Sequence, residues 1–303
     1  MKKQFSLINR PARQIHCLCY ATYMLRRLLR KGRSYFRHQN HELSKSNISE
    51  PPTSTISQAP VKLLSDYNWK HPSLKEKLDY HPYVKEWLCG NRTSQRLIRR
   101  IHQDLYQIEL LSNESIQMWN EELQQFSRWR ELEDVDIQAP NSMNMYGFML
   151  ADAEAQSPWK LLMEEVISPL SSELFPLVCG KGLDELHAFI VEYGSGLDQD
   201  LGFHVDASDV TVNLCLGEDF VGSELYFKGR RCDRHRQSPD LPNETFFYGH
   251  LPGTAIIHAG KHRHGAVAIE HGIRRNVILW CSSTTTLSNE ECPEWCGEHH
   301  PSQ

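Results

Sequence analysis

The sequence predicts an α+β chain in which flanking N-terminal helices support a double-stranded β-helix, or jelly-roll, core. Three observations carry this expectation. From Leu186 onward, short runs rich in β-branched and aromatic residues follow one another: HAFIVEY (187–193), DVTVNLCL (209–216), ELYF (224–227), TAIIH (254–258) and RNVILWC (275–281). Glycines at 194, 196, 202, 217, 222, 229, 249, 253, 260, 265 and 272 punctuate this half, and many short strands joined by glycine-rich turns point to a sandwich or barrel. Upstream, the apolar residues recur at helical rather than strand spacing.

The first forty residues hold ten Lys or Arg and no Asp or Glu. A basic extension is the plainer reading, and a mitochondrial transit segment is the alternative. Residues 40–60 are rich in Ser, Thr, Asn and Pro, a linker composition. Short helices are expected around Pro72 and Pro82, then a helix through Leu97, Ile98 and Ile101, then a strand in which Tyr106, Ile108 and Leu110 alternate. Ile116, Trp119, Leu123 and Phe126 fall three and four apart and form one apolar stripe, capped by Asn113 or Ser112. Ser157-Pro158 opens another helix with Ser157 as its N-cap, and Pro169 is expected to kink or break it. The resulting division is 1–60 as a disordered extension and linker, 61–184 as a mainly helical region on the core, 185–288 as the jelly roll, and 289–303 as a Cys/His-containing tail.

Composition excludes several classes. The chain has 303 residues with a net charge of −5 and a pI near 6.3, so no basic field argues for nucleic acid. No apolar run approaches the ~18 residues needed to span a bilayer. Nine cysteines, odd in number and scattered, suit a reducing compartment rather than a disulfide framework. An intracellular, soluble protein of the cytoplasm or nucleus is the expectation.

His204-Val205-Asp206 leads into an alternating strand, and residues i and i+2 of a strand share a face. A third ligand from a distant strand, His264, would give two imidazoles and one carboxylate on one side of a metal, the arrangement of non-haem Fe(II) oxygenases. The sequence holds sixteen histidines and a second His-x-Asp, His102-Gln103-Asp104. That copy lies near a helix-to-strand boundary with no matching downstream partners, and it reads as surface polarity. His258 and His262 compete with His264, but only His264 has an arginine, Arg274, ten residues later. Arg274 and Arg275 must face opposite ways in a strand. The offset selects Arg274 as a buried guanidinium that needs an anion, since an unpaired buried charge is costly. The far carboxylate of 2-oxoglutarate would supply it.

Tyr193, GFHVDASDVTVNLCLG (202–217) and HRHGAVAIEHGIRRNVILWC (262–281) resemble the prolyl 4-hydroxylase and procollagen lysyl hydroxylase branch of the Fe(II)/2-oxoglutarate oxygenases. That branch shows His-x-Asp, then a distal His followed by Pro four, Gly eight and Arg or Lys ten residues later. Gly272 and Arg274 match, while Ala268 stands where Pro is usual, a change confined to a turn. With APNSMNMYGFML (139–150) and Cys292-Pro-x-x-Cys296 added, the chain resembles the family of 2-oxoglutarate and iron-dependent oxygenase domain-containing protein 2.

The resemblance implies Fe(2+) held by His204, Asp206 and His264, 2-oxoglutarate held at its far carboxylate by Arg274, and O2 as the oxidant. Turnover would release succinate and CO2 while hydroxylating a substrate, with a protein or peptide side chain favoured and L-ascorbate as the reductant that keeps iron active. Tyr193, Thr211, Asn213 and Asn276 are expected to line the cosubstrate pocket, with core packing as the alternative reading of each. A catalytically inactive metal-binding or interaction module stays open. A zinc hydrolase would want a general base of the HExxH kind, and no such motif occurs. Lys228, Arg230, Arg231, Arg234 and Arg236 read as a solvated basic loop. Cys292, Cys296, His299 and His300 read as a mobile tail, because their spacing is unconvincing for zinc.

Overall fold

The computed structural model describes residues 64–298 except 92–93, 136, 180–181, 218 and 286–291. The basic extension, the linker through residue 60, and His299 and His300 lie outside the described residues.

The helices form where local chemistry caps them. Pro82–Leu88 (α1) starts with proline in its first turn, and the His81 side chain accepts from the Tyr83 amide. Ser94–Leu97 (α2) is a single turn, so the expected helix through Ile101 stops early. Ile98–His102 instead becomes a strand, β1, paired antiparallel with Leu105–Glu109, β2. Pairing with a neighbouring strand overrides local propensity here. Asn113–Glu133 (α3) is capped by Ser112, whose hydroxyl accepts from the Ser115 amide at 3.1 Å. Its stripe of Ile116, Trp119, Leu123 and Phe126 is buried as the spacing requires.

Ser157–Leu162 (α4) begins one residue earlier than expected, with Gln156 at the N-cap and no side-chain cap bond. Pro169 lies in the first turn of Ser168–Leu174 (α5) rather than at a break. A π-helical turn, Met163–Ile167, joins the two helices and absorbs the missing hydrogen bond.

The strands after β2 are Gly147–Met149 (β3), Glu185–Gly194 (β4), Leu201–His204 (β5), Val210–Cys215 (β6), Phe220–Gly222 (β7), Leu225–Arg230 (β8), Thr245–Tyr248 (β9), Thr254–Ala259 (β10), His262–Ala266 (β11) and Ile269–Ser282 (β12). They form two antiparallel sheets. The larger runs β1-β2-β10-β6-β12-β4-β3, with β7 added on β12, and the smaller runs β5-β11-β8-β9. Two facing antiparallel sheets built from strands that alternate between them constitute the jelly roll. The six expected strands all appear, five of them within a few residues of their predicted limits, while β12 starts six residues before the predicted Arg275. Strands β3, β5, β7, β9 and β11 were not expected, since each is short and lacks a β-branched run.

Strand parity divides the larger sheet into two faces. Ala188, Ile190, Val212, Leu214, Ala255, Ile257, Val277 and Leu279 turn outward into the main hydrophobic core beneath the helices, with Trp119, Trp159 and Phe126. The alternate positions turn inward toward the smaller sheet. There, two small apolar clusters, one around Leu225, Phe227 and Ile256 and one around Phe189, Val191 and Ile278, leave polar residues between them.

Candidate metal centre and cosubstrate pocket

His204 ends β5 and His264 is the middle residue of β11, and the two are direct partners in the β5–β11 register. Their rings lie 4.2 Å apart, centroid to centroid. Asp206 follows β5 on the loop to β6, and its amide donates to the Gly260 carbonyl at the β10–β11 turn. Gly260 is required there, because a Cβ would lie 2.0 Å from the Ser208 carbonyl oxygen. The structure thus brings one ligand atom from each of His204, Asp206 and His264 within 4.8 Å of the others, all three residues being buried. The His204 Nε2 to Asp206 Oδ1 distance is 3.3 Å, and His264 Nε2 stands 3.7 Å from Asp206 Oδ2.

The surroundings prepare these three groups for a cation. His204 Nδ1 and His264 Nδ1 each sit 2.8 Å from a backbone carbonyl, of Gly202 and His262 respectively. A carbonyl fixes the proton on Nδ1 and leaves the Nε2 lone pair to converge on the site. Burial pushes the His264 pKa down to about 3 despite the opposing Asp206 charge, so the ring is neutral, the ligating form. For Asp206, burial opposes ionisation, but the neighbouring His264, His204 and His258 rings together hold its pKa well below the carboxylate range. The Thr211 hydroxyl donates to Asp206 Oδ2 at 2.5 Å and fixes the carboxylate. His258 also approaches, with Nε2 3.9 Å from Asp206 Oδ2, but it lies outside the converging triad. His262 is buried against Phe227, and neither ring nitrogen has a partner.

Arg274 and Arg275 part company as strand geometry demands. Arg275 faces Glu192 across β4–β12, and its Nε donates to Oε1 at 2.6 Å. Arg274 turns inward opposite Tyr193 and is 1 % exposed, its guanidinium 4.4 Å from the Tyr193 ring centroid. One terminal nitrogen donates to the Ser223 carbonyl, while Nε is buried without a partner. No carboxylate among the described residues pairs with it. A buried, uncompensated guanidinium at the end of a pocket that begins at the three ligands is a receptor for an anion. Gly272 sets its approach: at φ +84°, a Cβ would meet the Asp219 carbonyl at 1.9 Å.

The pocket is lined by Tyr193, His204, Asp206, Thr211, Asn213, His264 and Arg274, with Phe189, Val191, Leu201, Leu225, Ile278 and Trp280 as apolar walls. Asn276 lies deeper. Its amide donates to Asn213 Oδ1 and meets His250 Nδ1 at 3.2 Å, leaving Asn276 Oδ1 unpartnered. Asn144, which lines the pocket, and His250, which adjoins Asn276, had no role in the sequence reading. Asn144 closes the mouth from the 139–150 segment, donating to the Tyr193 hydroxyl at 3.0 Å. His250 is buried, with Nε2 unpartnered and its pKa pushed down to about 3 by burial and by the Arg274 charge. Asn144 lies in the 139–150 run, which the sequence reading used only for the family resemblance. Nothing in GHLP marked His250.

The other singled-out residues fall elsewhere. His102 ends β1 and Asp104 sits in the β1–β2 hairpin turn, neither on a helix. His102 stacks on Phe246, and Asp104, at φ 56°, pairs with Arg230 at 2.9 Å. The basic loop is only partly solvated. Arg231 is 1 % exposed and doubly bonded to Glu244 at 2.8 and 2.7 Å, because β8 carries it inward under the following loop. Cys292 and Cys296 are packed against Cys232 and His235 rather than lying in a free tail.

An OGFOD2-like domain profile matches residues 65–180. The human 2-oxoglutarate and iron-dependent oxygenase domain-containing protein 2 is 33 % identical over 249 residues, covering 78 % of this chain and 68 % of that protein. The chain belongs to this family. A further member, the Arabidopsis thaliana 2-oxoglutarate and iron-dependent oxygenase domain-containing protein ICU11, is 43 % identical over 64 % of this chain and 50 % of its own length. More distantly, the rat procollagen-lysine,2-oxoglutarate 5-dioxygenase 1 is 26 % identical over 66 % of this chain and 26 % of that protein. The chain spans about half the length of the Arabidopsis relative. Within the family, the profile covers the helical flank, whereas His204, Asp206, His264 and Arg274 all lie beyond it. No helix among the described residues is long and apolar enough to cross a membrane.

Proposed function

We propose that this chain is an Fe(II)- and 2-oxoglutarate-dependent dioxygenase that hydroxylates a side chain of a protein or peptide. The observation that carries the reading is the buried, uncompensated Arg274 at the far end of the pocket that opens on His204, Asp206 and His264. A metal site alone suits many proteins, but a metal site paired with a fixed internal cation suits a bidentate dicarboxylate.

In this reading His204, Asp206 and His264 hold Fe(II) through two neutral imidazoles and one carboxylate. When bound, iron with 2-oxoglutarate and O2 supplies oxidative decarboxylation to succinate and CO2, coupled to hydroxylation of a C–H bond. The chain's own residues bind and orient. Arg274 takes the far carboxylate, backed by the face of Tyr193. Thr211 keeps Asp206 from rotating away from the metal. Asn213 supplies a polar wall, held from behind by Asn276, which in turn meets His250. Phe189, Val191, Ile278 and Trp280 keep the chamber dry, which strengthens every charge contact inside it. Peptide substrates are favoured by the relationship to the procollagen-lysine dioxygenase, and ascorbate is expected to sustain turnover as a reductant of iron.

The test is succinate formation by the purified full chain with Fe(II), 2-oxoglutarate, O2 and ascorbate, followed by screening of peptide libraries for +16 Da products. Uncoupled succinate release that disappears in His204→Ala and is not restored by Zn(2+) is the expected result. Turnover supported by zinc, or untouched by His204→Ala, would overturn the assignment.

A further inference from the structure

A second group of metal-ligating side chains stands apart from the pocket, next to the end of β8. Cys232 and His235 belong to the loop after β8, and Cys292 and Cys296 to the C-terminal segment. One ligand atom from each lies within 4.8 Å of the other three. We propose that Cys232, His235, Cys292 and Cys296 form a closed structural zinc site that clamps the C-terminal segment onto the β8–β9 connection.

The distances match those of a tetrahedral ion. Zn–S bonds of about 2.3 Å and Zn–N bonds of about 2.0–2.1 Å imply edges near 3.8 Å between sulfurs and about 3.5 Å between sulfur and nitrogen. The structure has Cys232 Sγ to Cys292 Sγ at 3.8 Å. His235 Nδ1 stands 3.4 Å from Cys232 Sγ, 3.5 Å from Cys292 Sγ and 3.6 Å from Cys296 Sγ. All three sulfurs therefore face one ring nitrogen. A disulfide would bring two sulfurs to about 2.05 Å, whereas Cys232 Sγ and Cys292 Sγ stand 3.8 Å apart.

The sequence spacing agrees: Cys232-x2-His235 and Cys292-x3-Cys296 are paired ligands at the short intervals typical of structural zinc.

The surroundings suit three thiolates. The Cys232 amide donates to Cys296 Sγ at 3.4 Å, as backbone amides do around a metal-bound sulfur. Three thiolates, one neutral imidazole and Zn(2+) leave one negative charge, and the buried guanidinium of Arg231 adjoins the segment. A Cβ on Gly297 would lie 2.3 Å from Arg231 Nη1. The residues between and beside the ligands dock as well: Trp295 lies 5.5 Å from the Arg230 guanidinium, and the Gly297 amide donates to the Arg230 carbonyl at 3.1 Å. Four protein ligands leave no open position, so the ion binds no substrate. Its role is to fix two segments 57 to 64 residues apart, and binding would release the three thiol protons.

The experiment is metal analysis of the full chain purified without chelator, with Co(2+) replacement as the second readout. About one zinc per chain is expected, with thiolate-to-cobalt charge transfer and the intense visible bands of a tetrahedral ion in the Co(2+) form. Cys296→Ser should lose this zinc and the cobalt spectrum, His235→Cys should retain both, and His204→Ala should leave both unchanged. Zinc lost in His204→Ala but kept in Cys296→Ser would overturn the proposal. So would a chain that takes up neither ion, or an intact mass showing a Cys232–Cys292 disulfide. Because the readout is metal content and spectrum, it stands or fails apart from succinate formation.

Discussion

The two groups of ligands are made in opposite ways. His204 and His264 face each other because β5 and β11 are in register, and Asp206 is delivered by a loop tied to the β10–β11 turn. The group is central, buried and bounded on one side by a pocket. Cys232, His235, Cys292 and Cys296 come from a loop and a terminal segment, and they saturate one another on the periphery. Three N/O ligands beside a pocket describe a site that reacts, and four S/N ligands without one describe a site that fastens. Strand register gives the precision that chemistry needs, whereas a loop clamp needs only proximity.

The largest expected effect breaks the comparison at its reactive half. Asp206→Ala should abolish 2-oxoglutarate turnover, a loss well beyond the ~10–100-fold typical of removing a residue that merely supports a metal ligand. Zinc content should be unaffected. Succinate assay and metal analysis on one preparation check both, and zinc lost together with turnover would show that the two sites are not independent.

Arg274→Ala comes next. Truncating one partner of a buried charge pair costs roughly 2–5 kcal/mol, which corresponds to a rise of about 30-fold or more in the KM for 2-oxoglutarate. Iron binding should persist. An unchanged KM would move the cosubstrate anchor elsewhere. Thr211→Val keeps shape but frees Asp206 Oδ2, and an iron affinity lower by about tenfold is expected. Iron affinity equal to that of the parent chain would count against the hydroxyl.

On the fastening side, Cys296→Ser should leave the iron affinity intact and lower Tm on the order of 10 °C, the loss expected when a ligand bound far below its working concentration is removed. The smallest effect concerns Glu244, which ties the same loop to Arg231. Burial opposes its ionisation, but the hydrogen bonds from Arg231 and the Leu241 amide outweigh it and hold its pKa below the ordinary 4.5. A carboxylate with a lowered native pKa stabilises fully above its unfolded value and loses that contribution as pH falls through the native one. Tm should therefore fall less steeply below pH 4.5 in Glu244→Gln than in the parent chain, and identical slopes would remove Glu244 from the clamp.

The same contrast explains what was legible in advance. His204 and Asp206 sit two residues apart in a β-rich context, and Arg274 stands ten beyond His264, so both spacings and a family resemblance mark them. Parity separated Arg274 from Arg275 in principle, but only the partner strand decides which faces inward: Tyr193 lies opposite one and Glu192 opposite the other. The cysteine group escaped because each half offers two ligands, and Cys292 and Cys296 were weighed with His299 and His300 rather than with a loop some sixty residues upstream. Among the strands, β1 was mistaken for helix because Leu97, Ile98 and Ile101 are spaced as on one helix face. The short strands β5, β7 and β11 exist through their neighbours' hydrogen bonds rather than their own composition.

Strand β12 has a consequence for how such a protein could change over time. A strand offers two settings, inward or outward, with nothing between them. Inserting or deleting one residue between Gly272 and Arg274 would exchange the two arginines at a stroke, sending the pocket's cation toward Glu192 and the other into the chamber. Substitutions elsewhere in the pocket adjust affinity by degrees, but a change of chain length at this point acts as a switch. The cosubstrate anchor is therefore far more vulnerable to indels than to drift.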